Sequence, residues 1–256
     1  MWLRLRQICL VADRLAAAED ELTDVLGIAV CYRDPGVAVF GLENVLMPVG
    51  NQLLEVVAPK EDNTAAGRYL ERRGGNGGYM VITQCDDRTP RRARVDQLGI
   101  RIVHQFETPE YLNMQLHPRD TGGCFFEIDQ VVGPGANDPD GPWEPAGPDW
   151  QAGRRLDRVT AIKAAEIQAD DPAAVAARWA EIAEIDLTAD GAGHPVLALD
   201  NADVRFVPCT DGRPEGLGGI DIAATDAPAV LAAAEARGAV TGERQITLCG
   251  TRLNLL

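Results

Sequence analysis

The sequence predicts an α+β fold built from four β-α-β-β-β modules arranged as two tandem pairs. Three observations carry this prediction. Apolar residues switch from a period of two to helical spacing and back, the same order recurs from residue 77, and it returns in shorter form after a Gly/Pro-rich stretch at 133–153.

In the first module LRLRQICLVA alternates and is rich in branched residues, as a strand does. After Asp13, an N-cap residue, Leu15, Leu22, Val25 and Leu26 recur at helical spacing up to Gly27. Three strands are expected next: IAVCYRD, then VAVFGLENVLMPV beyond the Asp34-Pro35-Gly36 turn, then QLLEVVAP beyond Gly50-Asn51. A polar break at 60–63 leads into a short helix over 64–73, ended by Gly74. The second module opens with GYMVITQCDD, continues through a helix over 88–98 closed by Gly99, and ends with IRIVHQFE, EYLNMQLHP and GGCFFEIDQ as strands. Residues 1–60 and 77–131 therefore read as two copies of one unit.

Residues 133–153, GPGANDPDGPWEPAGPDWQAG, have neither periodicity and read as a connector, which Trp143 and Trp150 are expected to pin to a surface. Beyond it come VTAIKAAEIQ, a helix over 172–185 with Val175, Trp179 and Ile182 on one face, and the strands PVLALD and ADVRFVPC. The last module has GGIDIAAT, an Ala-rich helix over 227–237 ended by Gly238, and RQITLCGTRLNLL. The domain reading is thus 1–132 for a first paired-module domain holding the pocket, 133–153 for the connector, and 154–256 for a second, degenerate pair.

With 256 residues and 46% hydrophobic content, the chain can bury a substantial core. A net charge of -15 opposes a nucleic-acid partner, which needs a contiguous positive surface. No apolar run is long enough for a membrane span, and MWLRLRQICLVAD meets an aspartate too early for a secretory leader, so a cytoplasmic protein without a membrane partner is expected. The six cysteines lie far apart with no CxxC pair, as buried, reduced thiols do.

Over residues 5–130 the chain resembles the vicinal oxygen chelate superfamily, which includes glyoxalase I, the bleomycin-resistance proteins, methylmalonyl-CoA epimerase and extradiol dioxygenases. QICLVADRL is similar to the opening strand-to-helix step, LLEVVAP to the closing strand of module one, and YMVITQCDD to the opening strand of module two. LHPRDTGGCFFEID and TAAGRYLERRGG look most like the closing hairpin and connector of the epimerases. The resemblance implies paired modules forming cup-shaped mixed sheets, with the pocket inside the cup.

The superfamily takes one metal ligand from the opening and one from the closing strand of each module, normally histidine and then glutamate or glutamine. By that alignment the closing strands supply Glu55 and Glu127, while the opening strands supply Gln7 and either Met80 or Tyr79. Two carboxylates, an amide and a thioether or phenol suit zinc, nickel or iron poorly, so no cofactor is expected. Were magnesium or calcium to bind, Gln7, Glu55 and Glu127 are the residues it would use. Where epimerases place a carboxylate base, this chain reads Gly36-Val37-Ala38-Val39. In the second pair the same positions hold Ala164, Arg205, Gly219 and Asn254, leaving no carboxylate.

Two carboxylates facing one cup would repel and raise a pKa unless a donor such as Gln7 intervened, which makes Glu127 and Glu55 candidate acid/base groups. Gln7, Tyr79, Met80, His117 and Phe125 are the candidate ligand-binding residues. His117, beside Pro118, also suits a turn role; His104 reads as a strand histidine and His194 as an exposed turn residue. The arginines at 88, 91, 92 and 94 read as a solvated helix face. The function expected is a lyase or isomerase acting on a small oxygen-rich metabolite; the alternative is a metal-free binding protein of the bleomycin-resistance kind. Either a monomer or a homodimer is compatible with four modules.

Overall fold

The computed structural model describes residues 1–256. Its strands form two mixed sheets, of seven and eight strands, with helices packed on them. The chain divides into two compact units, and each combines a module from the first half with one from the second.

One unit comprises Met1–Arg6, Tyr79–Pro142 and Ala164–Leu217. Its first-half module runs through β4 (Gly77–Cys85), α3 (Arg88–Gln97), β5 (Ile102–Glu107), β6 (Tyr111–Leu116) and β7 (Phe125–Val131). β4 and β7 are parallel, while β7–β6 and β6–β5 are antiparallel, which leaves β5 at the edge. Its second-half module is β8 (Val159–Ala169), α4 (Pro172–Ala183), β9 (Leu187–Ala189), β10 (Pro195–Ala198) and β11 (Asp203–Pro208). The two modules meet through aromatic rings: Phe126 of β7 stacks on Trp179 of α4 at 4.1 Å, and Trp179 meets Phe206 of β11 edge-on. Apolar burial of such large rings is the main cohesive term here.

The other unit comprises Gln7–Gly78, Trp143–Lys163 and Gly218–Leu256. It holds most of β1 (Leu3–Val11), then α1 (Leu15–Leu26), β2 (Leu42–Val49), β3 (Gln52–Pro59) and α2 (Ala65–Arg73). From the second half come β12 (Gly216–Ala224), α5 (Ala227–Ala236), β13 (Val240–Gly242), β14 (Gln245–Leu248) and β15 (Thr251–Leu255). Arg237, just after α5, donates to Asp24 and Asp20 of α1 at 2.7 and 3.0 Å. The Gln52 amide pairs in both directions with the backbone of Ile162 at 2.8 Å.

Module one lacks one expected strand. IAVCYRD makes only an isolated bridge, Tyr32 to Leu46, because the connector lies against it. A Cβ on Gly147 would come within 2.6 Å of Tyr32 Cδ2, and one on Gly153 within 2.7 Å of Cys31 Cβ. VAVF is likewise not strand but part of a 3₁₀ turn, Pro35–Phe40. Asp34 accepts the Gly36 N–H at 2.8 Å, Pro35 fixes φ, and Gly41 closes the turn at φ 70. Val39 is 80% exposed there, so the segment in which an epimerase base was sought stands in solvent.

Trp143 and Trp150 are fully buried, as expected of pins, but arginines anchor the preceding half of the connector. Arg4 donates to the carbonyls of Asn137 and Asp138 at 3.0 and 2.8 Å, and Arg6 to that of Gly141 at 2.7 Å. The solvated-face reading of α3 fails for Arg88 and Arg91, which are buried. Arg91 reaches the Ala183 carbonyl at 2.7 Å, at the C-terminus of α4, where the helix dipole favours a cation.

Candidate functional site

The register of β4, β7, β6 and β5 defines one face of the sheet. Glu127 lies opposite Ile82 on β4 and Gln115 on β6, and Gln115 lies opposite His104 on β5. Asp129 lies opposite Gln84, and Asn113 opposite Phe106. Residues in register, and residues two apart on a strand, share a face. The opposite face is fixed independently: Gln105 and Glu107 reach Arg92 and Arg88 of α3. His104 and Phe106 therefore stand with Asn113, Gln115, Glu127 and Asp129 on the face that α3 leaves uncovered.

The floor of this face is a carboxyl pair. Asn113 Nδ2 donates to Glu127 Oε1 at 2.8 Å and to Asp129 Oδ1 at 3.1 Å. Asp129 also accepts the Tyr111 hydroxyl and, at 3.2 Å, the Met114 N–H, and it is hydrogen-bonded with Glu127. Burial pushes the Asp129 carboxyl up to about 6 against the pull of these donors. Two carboxyls bonded to each other in such a place hold a proton between them. Asp129 and Asn113 escaped the sequence reading. An acidic pair two apart in FFEID was the available signal, since that spacing puts both on one face.

Glu55, in the other unit, is held by amides. Gln7 Nε2 donates to its Oε2 at 2.9 Å and Asn44 Nδ2 to its Oε1 at 2.6 Å. The Trp143 indole N–H donates to Gln7 Oε1 at 2.7 Å. An indole can only donate, so it turns the Gln7 oxygen toward itself and the Gln7 NH₂ toward Glu55. The donor role expected of Gln7 is thus present. Burial raises the Glu55 pKa, and the Asn44, Cys9 and Gln7 hydrogen bonds partly oppose that rise.

Register also aligns Met80 with Gln7. Gln7 precedes the β1 partner of Glu55 (Cys9) by two residues, as Met80 precedes the β4 partner of Glu127 (Ile82). Tyr79 instead packs its ring edge-on against Phe125 at 4.8 Å. His117 Nδ1 accepts the Arg119 N–H at 3.1 Å and caps the turn after β6. These donors do not fit a divalent ion: both Glu55 oxygens and the Gln7 oxygen already accept N–H groups, and Met80 offers only a thioether. No three His, Cys, Asp or Glu side chains are grouped to hold one.

In the second-half modules the carboxylates lie two residues beyond the opening-strand positions, Ala164 and Gly219, read by alignment. Arg205 pairs with Glu166, its register partner, at 2.9 Å. Asn254 donates to Asp221, its register partner, at 2.7 Å. Carboxylates are therefore present there, each matched to a polar neighbour across one pair of parallel strands.

Repeated β-α-β-β-β modules, the first two with a buried carboxylate on the closing strand, define a protein of the vicinal oxygen chelate class. Residues 8–183 match the glyoxalase-like domain family, and the chain belongs to it. The ethylmalonyl-CoA/methylmalonyl-CoA epimerase of Cereibacter sphaeroides is 24% identical over 136 residues, covering 50% of this chain and 98% of that protein. A hypothetical protein from Staphylococcus aureus aligns over 99% of both chains with a TM-score of 0.66 at 11% identity, and so shares the whole fold. A methylmalonyl-CoA epimerase solved with methylmalonyl-CoA and NH₄⁺ covers 52% of this chain and 96% of its own, with a TM-score of 0.46 at 16% identity.

Proposed function

We propose that the protein is a metal-independent isomerase or lyase that moves a proton on a small oxygen-rich metabolite, with Glu127 as the acid/base group. The observation that carries this reading is the Glu127–Asp129 carboxyl pair on the face away from α3, bridged by Asn113. A carboxyl that shares a proton with a neighbouring carboxyl can give it to, or take it from, a carbon next to a carbonyl. Glu55 serves as a fixed acceptor in this reading, because both its oxygens are engaged by amides.

The epimerase relative supplies the first substrates to try. Methylmalonyl-CoA and ethylmalonyl-CoA incubated with the protein in deuterated water should take up deuterium at the carbon between the carbonyls. Glu127→Gln should abolish that uptake while leaving the urea midpoint near wild type; full uptake by the variant would remove Glu127 from the chemistry. A binding protein without turnover is the second reading, favoured by the Tyr79–Phe125 ring pair beside the carboxyls. Tight binding with no deuterium uptake would select it.

A further inference from the structure

The face away from α3, buried at β4 and β7 and exposed toward β5, carries a second titratable side chain that the proposed reaction does not yet use. His104 heads a row that runs His104, Gln115, Glu127, Ile82 across β5, β6, β7 and β4, each residue in register with the next. From β5 to β7 is two strand spacings, about 10 Å between backbones. Between them stands only the uncharged Gln115 side chain. The His104 ring is half-buried and rests against Phe106, whose ring in turn rests against Tyr111. Tyr111 donates to Asp129, so the imidazole and the carboxyl pair flank one continuous polar and aromatic surface. On the other side of β5, Glu107 bonds Arg88 and Gln105 bonds Arg92, so the ionisable side chains that share the His104 face are Tyr111, Glu127 and Asp129.

We propose that His104 is a second proton-transfer residue of this face, acting on a small carbonyl compound from the side opposite Glu127. This rests on the acid/base reading given above for Glu127. Burial lowers the His104 pKa, which keeps the imidazole neutral and able to accept a proton. In the forward step a ring nitrogen removes the proton from the carbon next to the carbonyl. The C–H electron pair moves into the carbonyl as an enolate, and the imidazole becomes imidazolium. The Glu127 carboxyl then gives its proton to the other side of that carbon, the electron pair returns to form the new C–H bond, and Glu127 is left as carboxylate. Solvent carries the proton from imidazolium to carboxylate, and the configuration of the carbon has been inverted. The substrate class is a thioester, ketone or acid bearing an acidic C–H next to its carbonyl, with one skeleton spanning the strip between β5 and β7. Two opposed groups of this kind would replace the carboxylate base that the exposed Val39 segment cannot supply.

The test uses the whole chain and methylmalonyl-CoA in deuterated water, with His104→Gln and Glu127→Gln beside the wild type. Only three histidines are present, so ring resonances report on each separately. The expected result is a shift of the His104 resonances on adding methylmalonyl-CoA, with His117 and His194 unmoved. Deuterium uptake should fall by about 100-fold or more in His104→Gln, at an unchanged urea midpoint. Uptake lost in Glu127→Gln but intact in His104→Gln would overturn the role of His104 and leave that of Glu127 standing. No uptake by the wild type would overturn both. If His104→Gln fails to fold, a His104 resonance that ignores methylmalonyl-CoA in the wild type overturns the inference by itself.

Discussion

The Asn113 side-chain amide donates to Glu127 Oε1 at 2.8 Å, and the same bond recurs in the other first-half module, where Asn44 donates to Glu55 Oε1 at 2.6 Å. In both modules the asparagine sits on the strand antiparallel to the closing strand. Removing a donor from a buried carboxyl leaves that carboxyl to bear its desolvation alone, at a cost of about 1–3 kcal/mol. Asn113→Ala and Asn44→Ala should each lower stability by that order in urea unfolding at pH 7. Asn113→Asp should lower it further, because a third carboxyl joins the pair, and should recover as the pH is lowered to 4.

Asp129 makes stability depend on pH in a direction opposite to that of surface carboxylates. Its folded pKa is raised to about 6, against about 3.9 for an unfolded aspartate. Between those values the folded chain holds a proton that the unfolded chain has released, so stability falls as pH rises. The contribution is fully present below about pH 4 and is lost as pH passes through 6. Urea midpoints should decline across that window by an amount that Asp129→Asn, which cannot titrate, does not show. An equal decline in the variant would assign the dependence to other groups.

Trp143 should act on Glu55 through Gln7. Trp143→Phe keeps most of the ring volume but removes the N–H that orients the Gln7 amide. The expected loss is about 1–2 kcal/mol, from a buried amide oxygen left without its donor. Once the Gln7 amide can turn, its bond to Glu55 weakens and the Glu55 pKa rises further above the ordinary carboxylate range. Carboxyl ¹³C titration of the variant beside wild type would show that displacement; an unchanged Glu55 curve would mean that Gln7 is oriented by something else.

How much of this was legible varies with distance along the chain. Glu55 and Glu127 stand out because each interrupts an apolar closing strand, and the module rhythm accounts for all five helices and every strand except the three-residue β9 and β13. One expected strand, IAVCYRD, has the composition of a strand but makes a single bridge to β2, with a connector more than 100 residues away packed against its Cys31 and Tyr32. The Trp143–Gln7 bond spans 136 positions and has no local signal. The arginines of α3 were misread for a related reason: a helix with four of them looks solvated until a second-half helix end, Ala183, turns out to be the acceptor for Arg91. The repeated asparagines, Asn44 and Asn113, carry no local signal of their partners. Only the register shows them aimed at carboxyls.

The stack of Phe126 on Trp179 provides the last test, because it joins a closing strand of the first half to a helix of the second within one compact unit. Both side chains are fully buried, and the Trp179 N–H donates to the Thr121 carbonyl at 3.0 Å. Trp179→Ala should cost about 3–5 kcal/mol, the range for emptying a large aromatic site. Trp179→Phe keeps the stack but drops the Thr121 bond, and should cost less. If modules two and three cohere as the contacts group them, hydrogen exchange in Trp179→Ala will accelerate in β7 as well as in α4. Acceleration confined to residues 154–217 would instead mean that the two modules unfold separately, with the stack contributing little to the first.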